Sequence, residues 1–292
     1  MKKHLAIALA VMMMAVMGGA ASAADFNALV TTSWLSANMN YPGLVLLDIR
    51  AVADYKAGHI PGAVNLLYGA LSVKKGTLAN ELPDMLDLQD MLRGIGVNED
   101  STVVIYSAKY SKADGFAGIY DSLRIYFTLK YAGVKNVGVL DGGLDKWVLE
   151  KKPVSTDAAT VKPGNFKVKP NEAILATKDE FLAAATGKDV VIVDVRDYAT
   201  YATKHVKGAV NVPSAFVFND DGTIKPATEL ALYAVPKIGD RLSQPIITHC
   251  VSGRTCNAWT FVLIEMMGYK NVATYDGSSQ EFPALPTLPM EP

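Results

Sequence analysis

The sequence predicts an α/β protein of two tandem domains, each a parallel sheet flanked by helices. Three observations carry that prediction. The chain repeats itself: "DIRAVADYKAGHIPGAVN" (48–65) and "DVRDYATYATKHVKGAVN" (194–211) share Asp, Arg, Ala, Tyr, His and a final Gly-Ala-Val-Asn in register, without a gap. A second pair, "GVKNVGVLDGG" (133–143) and "GYKNVATYDGS" (268–278), follows in the same order, with 11 more residues between the blocks in the first copy. Within each copy, short apolar, β-branched-rich runs alternate with helical stretches, the pattern of buried parallel strands with helices on their faces.

Taken in chain order, the opening "MKKHLAIALAVMMMAVMGGAASAAD" has Lys2 and Lys3, an apolar run over 5–17 and a small-x-small site at Ala21-Ser22-Ala23. This is the tripartite pattern of a secretory signal peptide over 1–23, with an apolar run shorter than the about 20 residues a bilayer span needs. It predicts export, to a periplasm-like space. The first domain is expected over 24–152, with strands in "GLVLLDIR" and "STVVIYS" and a helix in "SLRIYFTLKYAG" closed by Gly133. A Pro-containing connector follows over 153–171. The second domain, 172–292, opens with "TKDEFLAAAT", in which Thr177 and Glu180 have capping-box spacing. Strands are expected in "DVVIVDVR" and "QPIITH" and a helix in "TCNAWTFVLIEMMGY", closed by Gly268. The tail "EFPALPTLPMEP" reads as an extended surface segment, with a Pro-rich ligand for a partner domain as the alternative.

Bulk properties exclude several classes. Half of the 292 residues are hydrophobic and the formal net charge is −1, so there are cores to bury but no basic face for nucleic acid. No segment after the leader is long and apolar enough to suggest a membrane span. The two cysteines are too few for a disulfide scaffold, and the histidines show no metal spacing, so neither a metal nor a cofactor is expected.

Both cysteines lie in "THCVSGRTCN" (248–257). The loop Cys250-Val251-Ser252-Gly253-Arg254-Thr255 joins the end of the "QPIIT" strand to a helix, where a parallel sheet places its ligands. Such a turn aims backbone N–H groups inward at the positive end of a helix dipole, and a thiol held there ionises more easily. Gly253 lets the chain bend tightly and Arg254 adds a cation. A cysteine-phosphatase reading is disfavoured, because that chemistry needs its Arg six positions after the nucleophile and position 256 is Cys. A Cys-His pair is unsupported, because adjacent side chains on a strand point to opposite faces and His249 reads as a packed histidine.

With "DIR…GHIPGAVN" and "LDGGLDKW" in the first copy, and "DVR…HVKGAVNVP", "HCVSGRT" and "YDGS" in the second, the chain resembles the tandem rhodanese family over nearly all its mature length. That family includes thiosulfate:cyanide and 3-mercaptopyruvate sulfurtransferases. The resemblance implies that Cys250 takes a sulfane sulfur from a small anionic donor as a persulfide. A thiol, cyanide or protein-cysteine acceptor would then remove it. It also implies that the amides of Val251, Ser252 and Gly253, with Arg254 and the Thr255 hydroxyl, bind the transferred group. The first copy has no cysteine, and aligning "VVIYSA" with "IITHC" places Ala108 near the nucleophile position, so that domain is expected to be non-catalytic. Its "KYSKADG" stretch reads as a variable surface loop.

The chain departs from the family at two places. Thr200 stands where many members carry an arginine that holds the anionic substrate. Arg196 matches a family position and is a candidate substrate contact, though it reads mainly as a partner for Asp194; Arg254 is the candidate replacement for the missing cation. Cys256 is the second departure: either a small buried thiol at a helix start, or a resolving thiol for Cys250. The alternative to turnover is a sulfur or chalcogen-oxyanion carrier, or a thiol switch using both cysteines.

Overall fold

The computed structural model describes residues 26–292, so the expected leader over 1–23 lies outside the described residues. In the first domain, β1 (Leu29–Val30), β2 (Leu44–Asp48), β3 (Val64–Asn65), β4 (Val73–Lys75), β5 (Leu78–Glu81), β6 (Thr102–Tyr106) and β7 (Asn136–Leu140) form a five-stranded parallel sheet, β1-β7-β6-β2-β3, and a β4-β5 hairpin. In the second, β8 (Leu175–Ala176), β9 (Val191–Asp194), β10 (His205–Val206), β11 (Val210–Asn211), β12 (Pro245–His249), β13 (Asn271–Tyr275) and β14 (Met290–Glu291) repeat the arrangement, with sheet order β8-β13-β12-β9-β11. The α/β fold and the duplication are as expected from the sequence.

The repeated blocks recur because each is a self-contained clamp. Asp194 holds Arg196 through both carboxylate oxygens, and Arg196 also donates to the Lys204 carbonyl. Asp48 holds Arg50 in the same way, with the Gly58 carbonyl as the further acceptor. Tyr55 donates to the Ala63 carbonyl and Tyr201 to that of Ala209, each at 2.7 Å. His59 and His205 stack on those tyrosines with ring centroids 3.8 Å apart. Asn65 and Asn211 each donate to two carbonyls of their own Asp-x-Arg segment at 2.9 Å. The conserved letters therefore satisfy buried polar groups at the sheet edge.

Helix Ala117–Tyr131 is buried on nearly every side, its polar Ser122, Arg124 and Thr128 included. It packs against helix Asn257–Phe261, with Tyr126 edge-on to Phe261 at 4.9 Å, and one hydrophobic core runs through both domains. Beyond Phe261 the helix widens into a π turn, Val262–Met266, instead of continuing regularly towards Gly268. Thr177 caps helix Lys178–Thr186, and both capping-box hydrogen bonds form. No helix among the described residues is long and apolar enough to cross a membrane.

The connector packs closely on one domain, and the tail differs from its sequence reading. The connector straps the first domain: Phe166 is buried in its core, its carbonyl accepts from Arg93 Nε at 2.7 Å, and Ser155 and His59 exchange backbone hydrogen bonds. The tail is no free surface segment. Leu285 and Leu288 are buried in the second domain, and β14 pairs antiparallel with β10. Apolar residues spaced between the tail prolines make it part of the core.

Candidate active site

Cys250 follows the last residue of β12, at the carboxyl edge of the second sheet, and is 1% exposed. The loop closes around it through Ser278, whose Oγ accepts the N–H of Cys250 and that of Gly253, each at 3.1 Å, and donates to the Tyr275 carbonyl at 2.9 Å. Ser278 holds φ +50, a left-handed conformation unusual for a side-chain-bearing residue. Gly253 has φ +70, and a Cβ there would meet the Asp276 carbonyl and Oδ1, both at 2.4 Å. Glycine is required on both counts.

The electrostatics favour a thiolate on Cys250. Burial alone pushes its pKa up, but the Cys256 thiol, the Thr255 hydroxyl and the N–H groups of Ser252 and Cys256 outweigh it, and the thiol ends well below its ordinary range. Cys256, fully buried with its Sγ 3.5 Å from that of Cys250, moves the opposite way, pushed up first by burial and then by the neighbouring sulfur. The two shifts run in opposite directions and favour the charge on Cys250 over Cys256. The Gly253 amide, expected to face the sulfur, is committed to Ser278 instead.

The first domain completes the cradle. Arg124, fully buried on helix Ala117–Tyr131, donates from Nη1 to the Gly253 carbonyl at 2.9 Å and forms a two-point ion pair with Asp276. Arg254 does not stand free as a substrate cation: its Nε meets Asp121 at 2.7 Å and its Nη2 the Ala117 carbonyl at 2.9 Å, both on the first domain. Asn80, at the end of the β4-β5 hairpin, donates to Ser252 Oγ at 3.0 Å and accepts from Tyr68 at 2.6 Å. Gln280 exchanges two hydrogen bonds with the Ala79 backbone. The hairpin thus lies over the loop, leaving Val251 as its exposed outer residue.

Of the residues singled out in the sequence, Ser252, Thr255 and Cys256 face the Cys250 sulfur, whereas Val251 lies outside and the Gly253 amide turns to Ser278. Arg196 is held by Asp194 and Lys204 within its own clamp, which makes it a scaffold residue, as Arg50 is in the first domain. Asp197 caps helix Tyr198–Thr203, its carboxylate accepting from the N–H and the hydroxyl of Thr200. His249 packs edge-on to Phe181, and burial lowers its pKa, so it stays neutral. Its Nε2 is 3.6 Å from Asp194 and has no hydrogen-bond partner.

In the first domain, strand pairing sets Asp48 opposite Tyr106, as Asp194 stands opposite His249. Leu144 N–H donates to the Ser107 carbonyl, as Ser279 N–H does to that of Cys250. Ser107, one residue before the expected Ala108, therefore occupies the nucleophile position. Its cradle is plugged by Tyr110, fully buried, whose hydroxyl accepts from Ser107 N–H at 3.3 Å and bonds Ser122 at 2.6 Å. The "KYSKADG" stretch is a surface loop, exposed at Lys109 and over 112–115, and it also touches the second domain, where Lys112 N–H donates to the Asp220 carbonyl.

Sequence reasoning missed Arg124, Asp121, Asn80, Ser278 and Asp276. Two left a trace: Arg124 is a cation between apolar residues of its helix, and Ser278 stands where the repeat has Gly143.

A family model described as "Rhodanese-like domain" matches residues 31–150 and 177–284. The "Putative thiosulfate sulfurtransferase" of Mycolicibacterium smegmatis is 31% identical over 283 residues, covering 90% of this chain and 97% of the relative. The "Sulfur carrier protein TtuD" of Thermus thermophilus is 29% identical over 288 residues, covering 90% and 95%. Among solved structures, the 3-mercaptopyruvate sulfotransferase SseA from Escherichia coli is similar with a TM-score of 0.74 and 26% identity, over 86% of this chain and 98% of that one. The anaerobic ergothioneine biosynthesis enzyme from Chlorobium limicola, at TM-score 0.75 and 22% identity over 91% and 70%, shares the fold.

Proposed function

The chain belongs to the rhodanese family as a tandem-domain sulfurtransferase, and on that premise we propose that it moves a sulfane sulfur from thiosulfate or a mercapto-acid to a thiophilic acceptor through a persulfide on Cys250. The observation that carries this reading is the convergence on the Cys250 sulfur, at the loop's centre, of the N–H groups of Ser252 and Cys256 and the Thr255 hydroxyl, which lower its pKa. The Cys250 thiolate attacks the outer sulfur of thiosulfate, the S–S bond breaks, and sulfite leaves with the bonding pair. With a mercapto-acid the C–S bond breaks instead, and the carbon fragment leaves as its enolate. The persulfide anion then sits among donors already oriented towards negative charge, which need no reorganisation as the charge develops. A cyanide or thiolate acceptor attacks the outer sulfur, and Cys250 leaves again as the thiolate.

Intact mass spectrometry without reductant tests this directly. Protein incubated with donor gains one sulfur atom, mapped to Cys250, or gives that sulfur up as free sulfide, and Cys250→Ser does neither; neither added sulfur nor sulfide with either donor sinks the reading. Sulfite release against pyruvate release identifies the donor. A carrier role is favoured by the similarity to a protein named as a sulfur carrier and by the closed site, in which Cys250 is 1% exposed. It is separated from turnover by whether cyanide or a small thiol discharges the persulfide repeatedly. We further propose export to the periplasm, tested by whether the protein recovered from that compartment begins at Ala24.

A further inference from the structure

Cys256 is the one other thiol in the chain, and it has no exposed surface. It cannot meet a partner arriving from solvent. The electrophilic sulfur within its reach is Cys250 Sγ once that atom carries a second sulfur, since the two Sγ atoms lie 3.5 Å apart and both thiols are free. A disulfide bond is about 2.05 Å long, so closure requires an approach of about 1.5 Å.

Resting on the Cys250 persulfide reading above, we propose that Cys256 resolves that persulfide, giving the chain a second activity: release of sulfide from a sulfane donor. The Cys256 sulfur attacks Cys250 Sγ and a Cys250–Cys256 bond forms. The bond to the outer sulfur breaks, and that sulfur leaves with the bonding pair. It takes the Cys256 proton and departs as hydrosulfide. The outer sulfur is reduced, the two cysteine sulfurs are oxidised to a disulfide, and the oxidising equivalents come from the donor. An external dithiol reductant then restores both thiols.

Two features favour this path. The attacking group is already inside a closed site, where an intramolecular step has the advantage of a high effective concentration. Before loading, the Cys250 charge helps to keep Cys256 protonated. Loading moves that charge one atom outwards, onto the sulfur that is to receive the proton.

Purified wild type, Cys256→Ser, Cys256→Ala and Cys250→Ser are incubated with thiosulfate or 3-mercaptopyruvate without reductant, and intact mass and free sulfide are followed against donor-free controls. Wild type is expected to lose two hydrogens, release one equivalent of sulfide and recover with dithiothreitol. The Cys256 variants are expected to keep one added sulfur and release none. Wild type that holds its added sulfur without releasing sulfide overturns the resolving role and leaves the persulfide standing. If no protein gains sulfur or releases sulfide, the persulfide reading itself fails. Using two Cys256 replacements keeps the test valid should one fold poorly.

Discussion

Arg124 of the first domain donates to the carbonyl of Gly253 in the second domain's loop, at 2.9 Å, from a position with no exposure to solvent. The same guanidinium pairs with Asp276, which lines the other side of Gly253. The loop that carries Cys250 is therefore shaped partly by the domain that has no cysteine.

Removing Arg124 strands the Asp276 carboxylate. Breaking a buried ion pair by deleting one partner costs about 3–5 kcal/mol. Arg124→Met is expected to lose stability in that range in urea denaturation and to transfer sulfur more slowly at temperatures where it stays folded. Full stability and rate in this variant would show that the loop holds its own shape.

The left-handed residues of the cradle separate two effects. Ser278→Ala and Ser278→Gly both remove the acceptor shared by the Cys250 and Gly253 amides, but only glycine relieves the positive φ. The glycine variant should be the more stable of the two by about 1 kcal/mol. Both should transfer sulfur more slowly than wild type. Equal stability of the two variants would argue against strain at this position.

The Cys250 pKa lies well below the usual thiol range, and the thiolate is the reactive form. Its alkylation rate should stay flat across neutral pH and fall only on acidification, below the range where an ordinary thiol loses its charge. Thr255→Val removes one donor and should move that fall to higher pH. A rate still rising through pH 8–9, as for a free cysteine at about 8.5, contradicts the donor geometry.

Glu81 sits in a cavity between the domains, its Oε1 buried without a hydrogen-bond partner, and burial, then Asp276, push its pKa up to about 7. The fold therefore prefers the protonated acid. That contribution is fully present below the unfolded carboxyl pKa and is lost as pH rises through about 7. Wild type should lose stability over this interval, and Glu81→Gln should lose less. Parallel pH profiles of the unfolding midpoint for the two proteins would count against it.

Much of the fold was legible because the residues that signal it act locally. The clamp of Asp194, Arg196, Tyr201, His205 and Asn211 closes within one repeat block, and so does its twin around Asp48. A duplicated network shows as duplicated letters. The place of Cys250 was legible for a similar reason: a cysteine after a buried strand and before a glycine turn can be read from a few neighbours. The slip from Ser107 to Ala108 arose from matching apolar letters, when the register is set by pairing across the sheet. The tail was misread because its prolines suggested an exposed segment, while Leu285 and Leu288 between them had a core to enter.

Residue order alone settles the duplication, the alternation of strand and helix, and which sulfur heads the loop, since these depend on periodicity and on neighbours a few positions apart. It could not settle what surrounds that sulfur. Arg124 reaches Gly253 from 129 residues away, Asn80 reaches Ser252 from 172, and Arg254 meets Asp121 from 133. Those contacts exist because two apolar helices bury each other and bring the domains together. Hydrophobic packing of this kind is non-directional, so the polar partners it juxtaposes are fixed only once both domains have docked.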